Sequence, residues 1–79
     1  DVKEFSISLE ADEDGLIYLP KILVEVEIAS SNGEARRLID GGGIKINQKP
    51  LPAKTYKVEP SVLEKALLQA GKKRWAQLI

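Results

Sequence analysis

The side chains of this chain that could bind a ligand are mostly cations, and three of them stand together beside an aromatic residue. The segment Gly71-Lys72-Lys73-Arg74-Trp75 contains two lysines, an arginine and the single tryptophan of the chain. Cations of this kind can bind phosphate groups, and an indole ring can stack on a base or a ribose. We assign the three cations to ligand binding. For Trp75 we favour the other interpretation, that it is the largest anchor of a small core.

A second polar group lies between Ser30 and Asn47. Arg36 and Arg37 lie outside the apolar stripe of a predicted helix, and Lys45 and Asn47 lie on the outward face of the strand that follows. We call these four residues the cationic corner. The helix that carries the two arginines would also present backbone N–H groups and a partial positive charge at its start.

Three local signals define the elements that must position this corner. Ser31, followed three residues later by Glu34, forms a capping box, in which the Ser31 hydroxyl accepts from the Glu34 N–H and the Glu34 carboxylate accepts from the Ser31 N–H. Ala35, Leu38 and Ile39 then recur at helical spacing. The triplet Gly41–Gly43 ends the helix, and the alternating segment Ile44–Asn47 predicts a strand.

The rest of the chain predicts a single small α+β domain with two short packed helices against a small, mostly antiparallel sheet. Leu19-Pro20 begins the first helix, whose apolar stripe contains Leu19, Ile22, Leu23 and Val26. Residues 1–16 are a linker or an N-terminal strand, with Phe5–Leu9 alternating, and residues 17–79 form the domain. The remaining predictions are a loop at Glu10–Gly15, a turn at Gln48-Lys49, prolines that prevent pairing through Leu51-Pro52, a strand at Tyr56–Val58, a loop or one helical turn at Pro60–Glu64, and a hairpin of Lys65–Ala70 with Lys73–Ile79.

Composition excludes several kinds of site. The chain has no cysteine and no histidine, so disulfides, thiolate nucleophiles, Cys/His zinc sites and histidine acid–base catalysis are ruled out for these residues. The formal net charge is zero, yet the charges are segregated. Asp1–Ala35 carries a net charge of −7, whereas Arg36–Ile79 carries +7. Such asymmetry favours a polyanion-facing side, although a solvated surface of mixed charge is an equal alternative on charge alone.

The segment Leu23–Asn47, with its Ala-Ser-Ser, Glu-Ala-Arg-Arg-Leu-Ile, Gly-Gly and Lys-Ile-Asn elements, resembles the S-four-like RNA-binding fold, also called the alpha-L motif. The ending Leu67–Trp75 is most similar to the version at the C-terminus of bacterial-type tyrosyl-tRNA synthetases. The resemblance implies a domain that holds tRNA(Tyr) by its variable arm and anticodon stem. The RNA-binding positions that it implies are Ser31, Asn32, Arg36, Arg37, Lys45, Asn47, Lys49, Lys72, Lys73 and Arg74.

The resemblance also implies that catalysis belongs to another part of the parent. The fragment itself is then not an enzyme and needs no metal or cofactor, while the parent is an ATP-dependent tyrosine–tRNA ligase that uses ATP and Mg. The expected partners are tRNA and the catalytic domain of the same chain, with no membrane. We expect a monomeric fragment, a homodimeric parent and a cytoplasmic location, or the mitochondrial matrix if the parent is organellar.

Three departures from the family pattern weaken the expected affinity for RNA. Asn32-Gly33 stands where a cation-Ser pair is usual, so one positive charge is lost at the helix start. Glu27 and Gln48 stand where glycine is usual or frequent, so the first helix must end without its glycine and the later turn type is open. Two alternatives remain: the same fold in an RNA-modifying enzyme or ribosome-associated factor, and a protein-docking module that acts through the acidic first half.

Overall fold

The computed structural model describes residues 2–79, so Asp1 of the predicted segment 1–16 lies outside the described residues. The elements in chain order are β1 (Lys3–Phe5), β2 (Ile17–Tyr18), α1 (Leu19–Glu25), α2 (Asn32–Asp40), β3 (Ile44–Ile46), β4 (Lys49–Pro50), β5 (Lys57–Val58), α3 (Pro60–Leu63), β6 (Leu67–Ala70) and β7 (Arg74–Leu78). Within the described part of the chain, no helix is long and apolar enough to cross a membrane.

The strands form two sheets. The larger sheet has the order β1-β7-β6-β3-β4, and among residues 2–79 the β1–β7 pair is the only parallel one in it. The smaller sheet pairs β2 with β5 in antiparallel register. The predicted α+β class, with two short helices against a mostly antiparallel sheet, is confirmed.

One hydrophobic core joins α1 and α2, the two longer helices, to one face of the larger sheet. Leu23 of α1, Ala35 and Ile39 of α2, Ile44 of β3 and Leu68 of β6 are fully buried in it. The apolar stripes predicted from helical spacing are therefore the faces that α1 and α2 bury. Strand alternation places every second residue of β3, β6 and β7 on the opposite, outer face of the sheet.

Both long helices end in the same backbone arrangement, with a left-handed residue after the C-cap. For α2 this residue is Gly42 (φ 74°), and the N–H groups of Gly42 and Gly43 donate to the carbonyls of Ile39 and Leu38, each at 3.0 Å. This double bond pattern is a Schellman motif. Glycine reaches this conformation without a Cβ penalty, so the prediction that the glycine triplet ends α2 is confirmed.

In α1 the left-handed position is taken by Glu27, with φ 64°. The N–H groups of Glu27 and Ile28 donate to the carbonyls of Val24 and Leu23, each at 3.0 Å, so the Schellman motif forms in full without glycine. A residue with a Cβ adopts this conformation only at a cost in free energy. The departure noted at Glu27 is therefore a source of backbone strain and leaves the fold intact.

The turn after β3 differs from its prediction by one residue. Asn47 (φ 53°) and Gln48 (φ 68°) are its two central residues, and Ile46 pairs directly with Lys49. Two successive positive φ angles in a two-residue hairpin loop are typical of a type I′ turn. Pro50 pairs with Lys45 on the edge strand β4, a position where proline is tolerated although it has no N–H group, because no further described strand lies beside β4 to accept from one.

The N-terminal segment follows the sheet for a shorter distance than alternation predicted. The strand covers Lys3–Phe5, whereas the prediction Phe5–Leu9 was wrong in its bounds. Phe5, Ile7 and Leu9 are nevertheless partly buried against the core. The inward alternation is therefore real, and the last register pair between β1 and β7 is Phe5 with Leu78.

The acidic loop that precedes β2 is fastened to the smaller sheet by Asp12. Its Oδ1 atom accepts from the N–H groups of Asp14 (2.9 Å) and Leu16 (3.0 Å), and its Oδ2 atom lies 2.9 Å from Lys57 Nζ. The hydrogen bond from Lys57, followed by that from the Leu16 N–H, lowers the pKa of Asp12, and the same contact with Asp12 raises the pKa of Lys57. The predicted loop at Glu10–Gly15 is confirmed. The Lys57 side chain is paired with Asp12 of this loop.

The helical and hairpin predictions in the C-terminal half are confirmed with shorter elements. Pro60–Leu63 forms a single helical turn, and Lys57–Val58 forms the strand predicted at Tyr56–Val58. The closing hairpin pairs β6 with β7 across a turn of residues 71–73. Lys65 takes a left-handed backbone conformation (φ 50°), which keeps it out of the strand that was predicted to begin there.

Replacing Glu27 by glycine is expected to stabilise the fold. The E27G change removes the cost of a left-handed residue with a Cβ, and the extra freedom of glycine in the unfolded chain offsets only part of this, for a net gain of about 0.5–1 kcal/mol. The Lys3–Glu27 ion pair (3.6 Å) that is lost has mostly exposed side chains, so it contributes little. Urea unfolding followed by circular dichroism measures the change.

The matched control is E25G, the same substitution at the last residue of α1. There the backbone is right-handed, so glycine should lower the free energy of unfolding by about 0.5 kcal/mol. Equal effects of the two substitutions would contradict the assignment of strain to Glu27.

Candidate nucleic-acid interface

The start of α2 is closed by the two residues that the capping box predicts, with one difference. Ser31 Oγ accepts from the Glu34 N–H at 3.1 Å, as predicted. Glu34 Oε1 accepts from the N–H of Ser30 at 2.8 Å, where we predicted Ser31. Glu34 thus reaches one residue further back, to a place where it also lies 3.7 Å from Arg74 Nη1. Ser31 and Glu34 both accept hydrogen bonds from backbone N–H groups at the start of α2. Ser31 therefore has a structural role as the cap of this helix.

One exposed side of α2 faces two tyrosines. Arg36 Nη1 donates to the hydroxyl of Tyr18 at 2.8 Å, and the Tyr56 hydroxyl donates to the carboxylate of Asp40 at 2.6 and 2.8 Å. Arg36 and Asp40 are four residues apart, so they lie on the same side of the helix. Sequence reasoning missed this network, because Tyr18 in β2 and Tyr56 just before β5 gave no signal until those strands were paired. The hydrogen bond to Asp40, more than desolvation, raises the pKa of Tyr56.

Arg37 lies on a different side of α2 from Arg36. It follows Glu34 by three residues, so it shares the side on which Glu34 contacts Arg74 of the closing hairpin. Arg37 is exposed, and its side chain extends over Gly33 one turn earlier, where a Cβ would lie 3.8 Å from Arg37 Nη1. Arg36 and Arg37 are therefore adjacent in sequence but lie on different surfaces of the domain.

Arg74 holds the closing hairpin to the connection between α1 and α2. Its Nη1 atom donates to the carbonyl of Ile28 at 2.9 Å and lies 3.7 Å from Glu34 Oε1. At the other side of the hairpin turn, the N–H of Gly71 donates to the carbonyl of Gly43 at 3.1 Å. The turn is thus fixed near both ends of α2, and Arg74 is occupied in fixing it.

Lys72 and Lys73, at the tip of this turn, are exposed, as is Arg37 on the adjoining side of α2. Within residues 2–79, none of the three takes part in an ion pair. Their positive charges are therefore available to an anionic ligand. We call Arg37, Lys72 and Lys73 the hairpin-side cations.

The cationic corner predicted from sequence does not form a single surface. Lys45 alternates with the buried Ile44 and Ile46, so it lies on the outer face of the sheet, whereas α2 packs on the inner face. Asn47 is in the turn, with its Oδ1 accepting from the Leu67 N–H at 2.9 Å, so it does not share the face of Lys45. Lys49 pairs with Ile46 and lies on the side opposite to Lys45. Asn32, the first residue of α2, is exposed.

Trp75 is outside the core, so the preferred sequence interpretation was wrong. Its neighbour Ala76 is fully buried and Leu78 is 2% exposed, which places Trp75 on the outer face with partial exposure. The alternation of Ala76 and Leu78 with Trp75 and Gln77 carried this signal. Its size alone misled the prediction, because a small core was already filled by aliphatic side chains from α1, α2 and the inner sheet face.

The described residues contain no cluster of acidic side chains that could hold a metal ion. The chemistry that this arrangement can perform is electrostatic and geometric. It offers exposed positive charges beside a capped helix start, together with a partly exposed aromatic ring.

Comparison with known proteins agrees with this geometry. The model of the S4 domain family matches residues 19–62, more than half of the chain, from the start of α1 into α3. The chain belongs to the S4 domain family. The S4 domain is an RNA-binding fold, so the resemblance found in the sequence is confirmed.

Relatives that share this S4 domain are named tyrosine–tRNA ligase. The one from Moorella thermoacetica is 40% identical over 62 residues, which cover 78% of this chain and 14% of the relative. That from Caulobacter sp. (strain K31) is 37% identical over 76 residues, covering 94% of this chain and 18% of the relative. That from Helicobacter pylori (strain J99) is 36% identical over 72 residues, covering 91% and 17%. The chain therefore spans less than a fifth of the length of these ligases.

The Tyr56–Asp40 contact predicts a distinctive titration in this S4 domain. In a Y18F variant, the ultraviolet absorbance of the remaining tyrosine should show a pKa above the usual value of about 10. The D40N substitution, which removes the carboxylate charge, should bring the titration back toward the usual value. A midpoint that D40N leaves unmoved would contradict the assigned cause.

The contact between Tyr56 and Asp40 also predicts how the free energy of unfolding changes with pH. Because the folded state raises the pKa of Tyr56, its contribution is complete below the unfolded pKa of about 10 and is lost as pH rises through the folded pKa. Unfolding in urea across this alkaline range should therefore show an extra loss of stability that Y56F lacks.

Arg74 and Lys73 are neighbouring cations that should respond differently to substitution. R74A removes a charged hydrogen bond to the Ile28 carbonyl, so we expect a loss of about 1 kcal/mol or more in the free energy of unfolding. K73A changes an exposed side chain without a described partner, so its effect should stay within about 0.5 kcal/mol. Urea unfolding of both variants tests this, and equal losses would contradict a positioning role for Arg74.

Proposed function

We propose that this S4 domain binds tRNA(Tyr), holding its variable arm and anticodon stem for a tyrosine–tRNA ligase of which the chain is a part. The observation that carries the proposal is the likeness to tyrosine–tRNA ligases along 78–100% of the chain. Two of these matches cover all 79 residues, so they include α2 and the closing hairpin. The hairpin-side cations support it, because they are exposed and free of ion pairs within residues 2–79.

Binding would proceed mainly through phosphate groups. Arg37, Lys72 and Lys73 neutralise backbone phosphates, while the capped start of α2 and the tied hairpin keep these charges at fixed positions. The shape of a folded RNA arm, more than its base edges, then determines fit, because the deep major groove of an RNA helix is closed to side chains. Asn32 and Lys45 are further exposed positions for contact, and Lys49 extends the surface from the opposite face of the sheet.

Four of the predicted contact residues are assigned smaller direct roles. Ser31 caps α2, Asn47 binds the backbone of β6, Arg74 fixes the hairpin, and Arg36 is bonded to Tyr18. Arg36 remains exposed and can exchange its neutral tyrosine partner for a phosphate, which is the stronger acceptor. Ser31, Asn47 and Arg74 would instead support the RNA-binding surface by holding backbone segments of the domain in place.

The remaining parts of the proposal concern the parent. Tyrosine activation with ATP and Mg would take place in a separate catalytic domain of a cytoplasmic homodimer, and this S4 domain would present the tRNA to it. The alternative of an RNA-modifying enzyme or ribosome-associated factor has less support, because the relatives described above carry the name of the ligase.

The test is a fluorescence anisotropy titration of the 79-residue chain against labelled tRNA(Tyr). We expect binding that weakens as salt rises, and weaker binding to a tRNA with a short variable arm. Equal affinity for both tRNAs would reduce the function to general RNA binding. Absence of binding, together with capture of a protein partner at high salt, would favour the docking module instead.

Substitution of Lys72 or Lys73 should reduce the salt dependence of the RNA-binding constant by a predictable amount. The logarithm of the binding constant falls linearly with the logarithm of salt concentration, and each neutralised phosphate contributes about 0.7–0.9 to the slope. K72Q and K73Q should each reduce the slope by about that amount. The control K21Q changes an exposed lysine of α1, which lies beside the acidic loop, and should leave the slope unchanged. A slope reduced equally by all three would contradict a localised surface.

A further inference from the structure

The outer face of the larger sheet carries an aromatic ring that the phosphate-binding surface does not use. Trp75 lies on this face with partial exposure, while Ala76 and Leu78 fill the core from the other face. Of the residues described, neither the core cluster nor the side chains packed against it include Trp75. A large aromatic side chain with no part in the core needs another explanation for its position.

The ring is held in one orientation by its own strand and turn. Trp75 Nε1 donates to the carbonyl of Lys72 at 3.2 Å, so the only polar atom of the indole is satisfied within the hairpin. Gln69, the direct cross-strand partner of Trp75, is 8% exposed, and its Nε2 donates to the carbonyl of Gly71 at 2.7 Å. A ligand would therefore meet a ring whose neighbours are already ordered, which lowers the entropic cost of binding.

The charges on the β3 side of the ring and in the turn before it are positive, and Glu4 lies on the same outer face toward β1, as the register partner of Gln77. Lys45, Gln69 and Trp75 form one row across β3, β6 and β7, because their Cα atoms are register partners and register partners point to the same face. Lys72 and Lys73 precede the ring in the turn. Within residues 2–79, these three lysines make no ion pair. An aromatic face bordered by unpaired cations is the arrangement by which proteins bind unstacked nucleotides.

We propose that Trp75 is a stacking platform for an unpaired RNA base, with Lys45 and Lys72 on the adjoining phosphates. The proposal rests on the RNA-binding function above and adds a ligand class to it: an unpaired nucleotide next to a helical arm. The hairpin-side cations hold the arm, and the ring holds the base that leaves it. A protein surface is a poorer occupant, because charged residues such as these lysines are depleted from the centres of protein interfaces.

The test compares three RNAs that share one short duplex: a blunt duplex, the duplex with a single-stranded overhang, and the duplex with an overhang of abasic nucleotides. The abasic overhang keeps the phosphates and lacks the bases. Because Trp75 is the only tryptophan, its fluorescence reports stacking directly. We expect the base-bearing overhang to quench this fluorescence and to bind about 5- to 150-fold more tightly than the abasic one, as measured by anisotropy.

Two variants separate stacking from folding. W75L keeps an apolar side chain without a ring, so it should abolish the difference between the overhangs, whereas W75Y should retain part of it. Urea unfolding of each variant establishes that the domain is intact. Equal binding of base-bearing and abasic overhangs to the native chain, without quenching, would overturn the platform.

The outcomes distinguish this proposal from the function on which it rests. If tRNA(Tyr) binds with the expected salt dependence but the base-bearing overhang neither quenches nor binds more tightly, the platform is wrong and the proposed function stands. If the overhang quenches Trp75 but tRNA(Tyr) does not bind, the platform stands and the proposed function is wrong. If no RNA binds or quenches, both are wrong.

Discussion

The turn that closes α2 determines how the helix, strand β3 and the closing hairpin are placed relative to one another. Because Gly42 is left-handed, the chain reverses directly after Asp40 and enters β3, so that Ala35 and Ile39 of the helix are buried with Ile44 of the strand. The carbonyl of Gly43 then accepts from Gly71, which brings the hairpin turn to the same place. Together with the bond from Arg74 to the Ile28 carbonyl, this reversal places Lys72 and Lys73 beside the helix that carries Arg37. A rigid support of this kind matters because phosphate contacts are useful for recognition only when their spacing is fixed.

The charged side chains differ in their roles within each half of the sequence, as well as in sign between the two halves. The acidic first half uses Asp12 to hold Lys57, and Glu34 to hold Ser30 and Arg74, so several of its carboxylates serve internal contacts. The cations of the second half divide similarly into those that are bonded within the fold, such as Lys57 and Arg74, and the hairpin-side cations, which make no ion pair within residues 2–79. A net charge of zero is therefore compatible with a locally positive surface. The affinity of such a surface should be moderate, since Asn32-Gly33 supplies no cation at the start of α2.

Much of the fold could be predicted because its local signals are strong. The Ser31 cap, the apolar stripes of both helices and the glycine reversal each act within a few residues, and each was found where the sequence placed it. The site was less predictable, because it depends on which faces meet across strands. Arg36 and Arg37 are adjacent in sequence but lie on different sides of α2, and Lys45 lies across the sheet from them. Trp75 was misassigned because size was weighed above the alternation of its own strand.

An NMR titration of the isotope-labelled chain with tRNA(Tyr) at two salt concentrations would show directly whether RNA contacts the hairpin-side cations. We expect the amide shifts to concentrate at residues 32–37 and 71–75 and the Trp75 indole N–H to move with them. All of these changes should shrink at the higher salt. The acidic loop at Glu10–Gly15 should remain unchanged. Shifts confined to the acidic loop, or shifts that salt does not reduce, would contradict the assignment of this S4 domain to RNA binding through its hairpin-side cations.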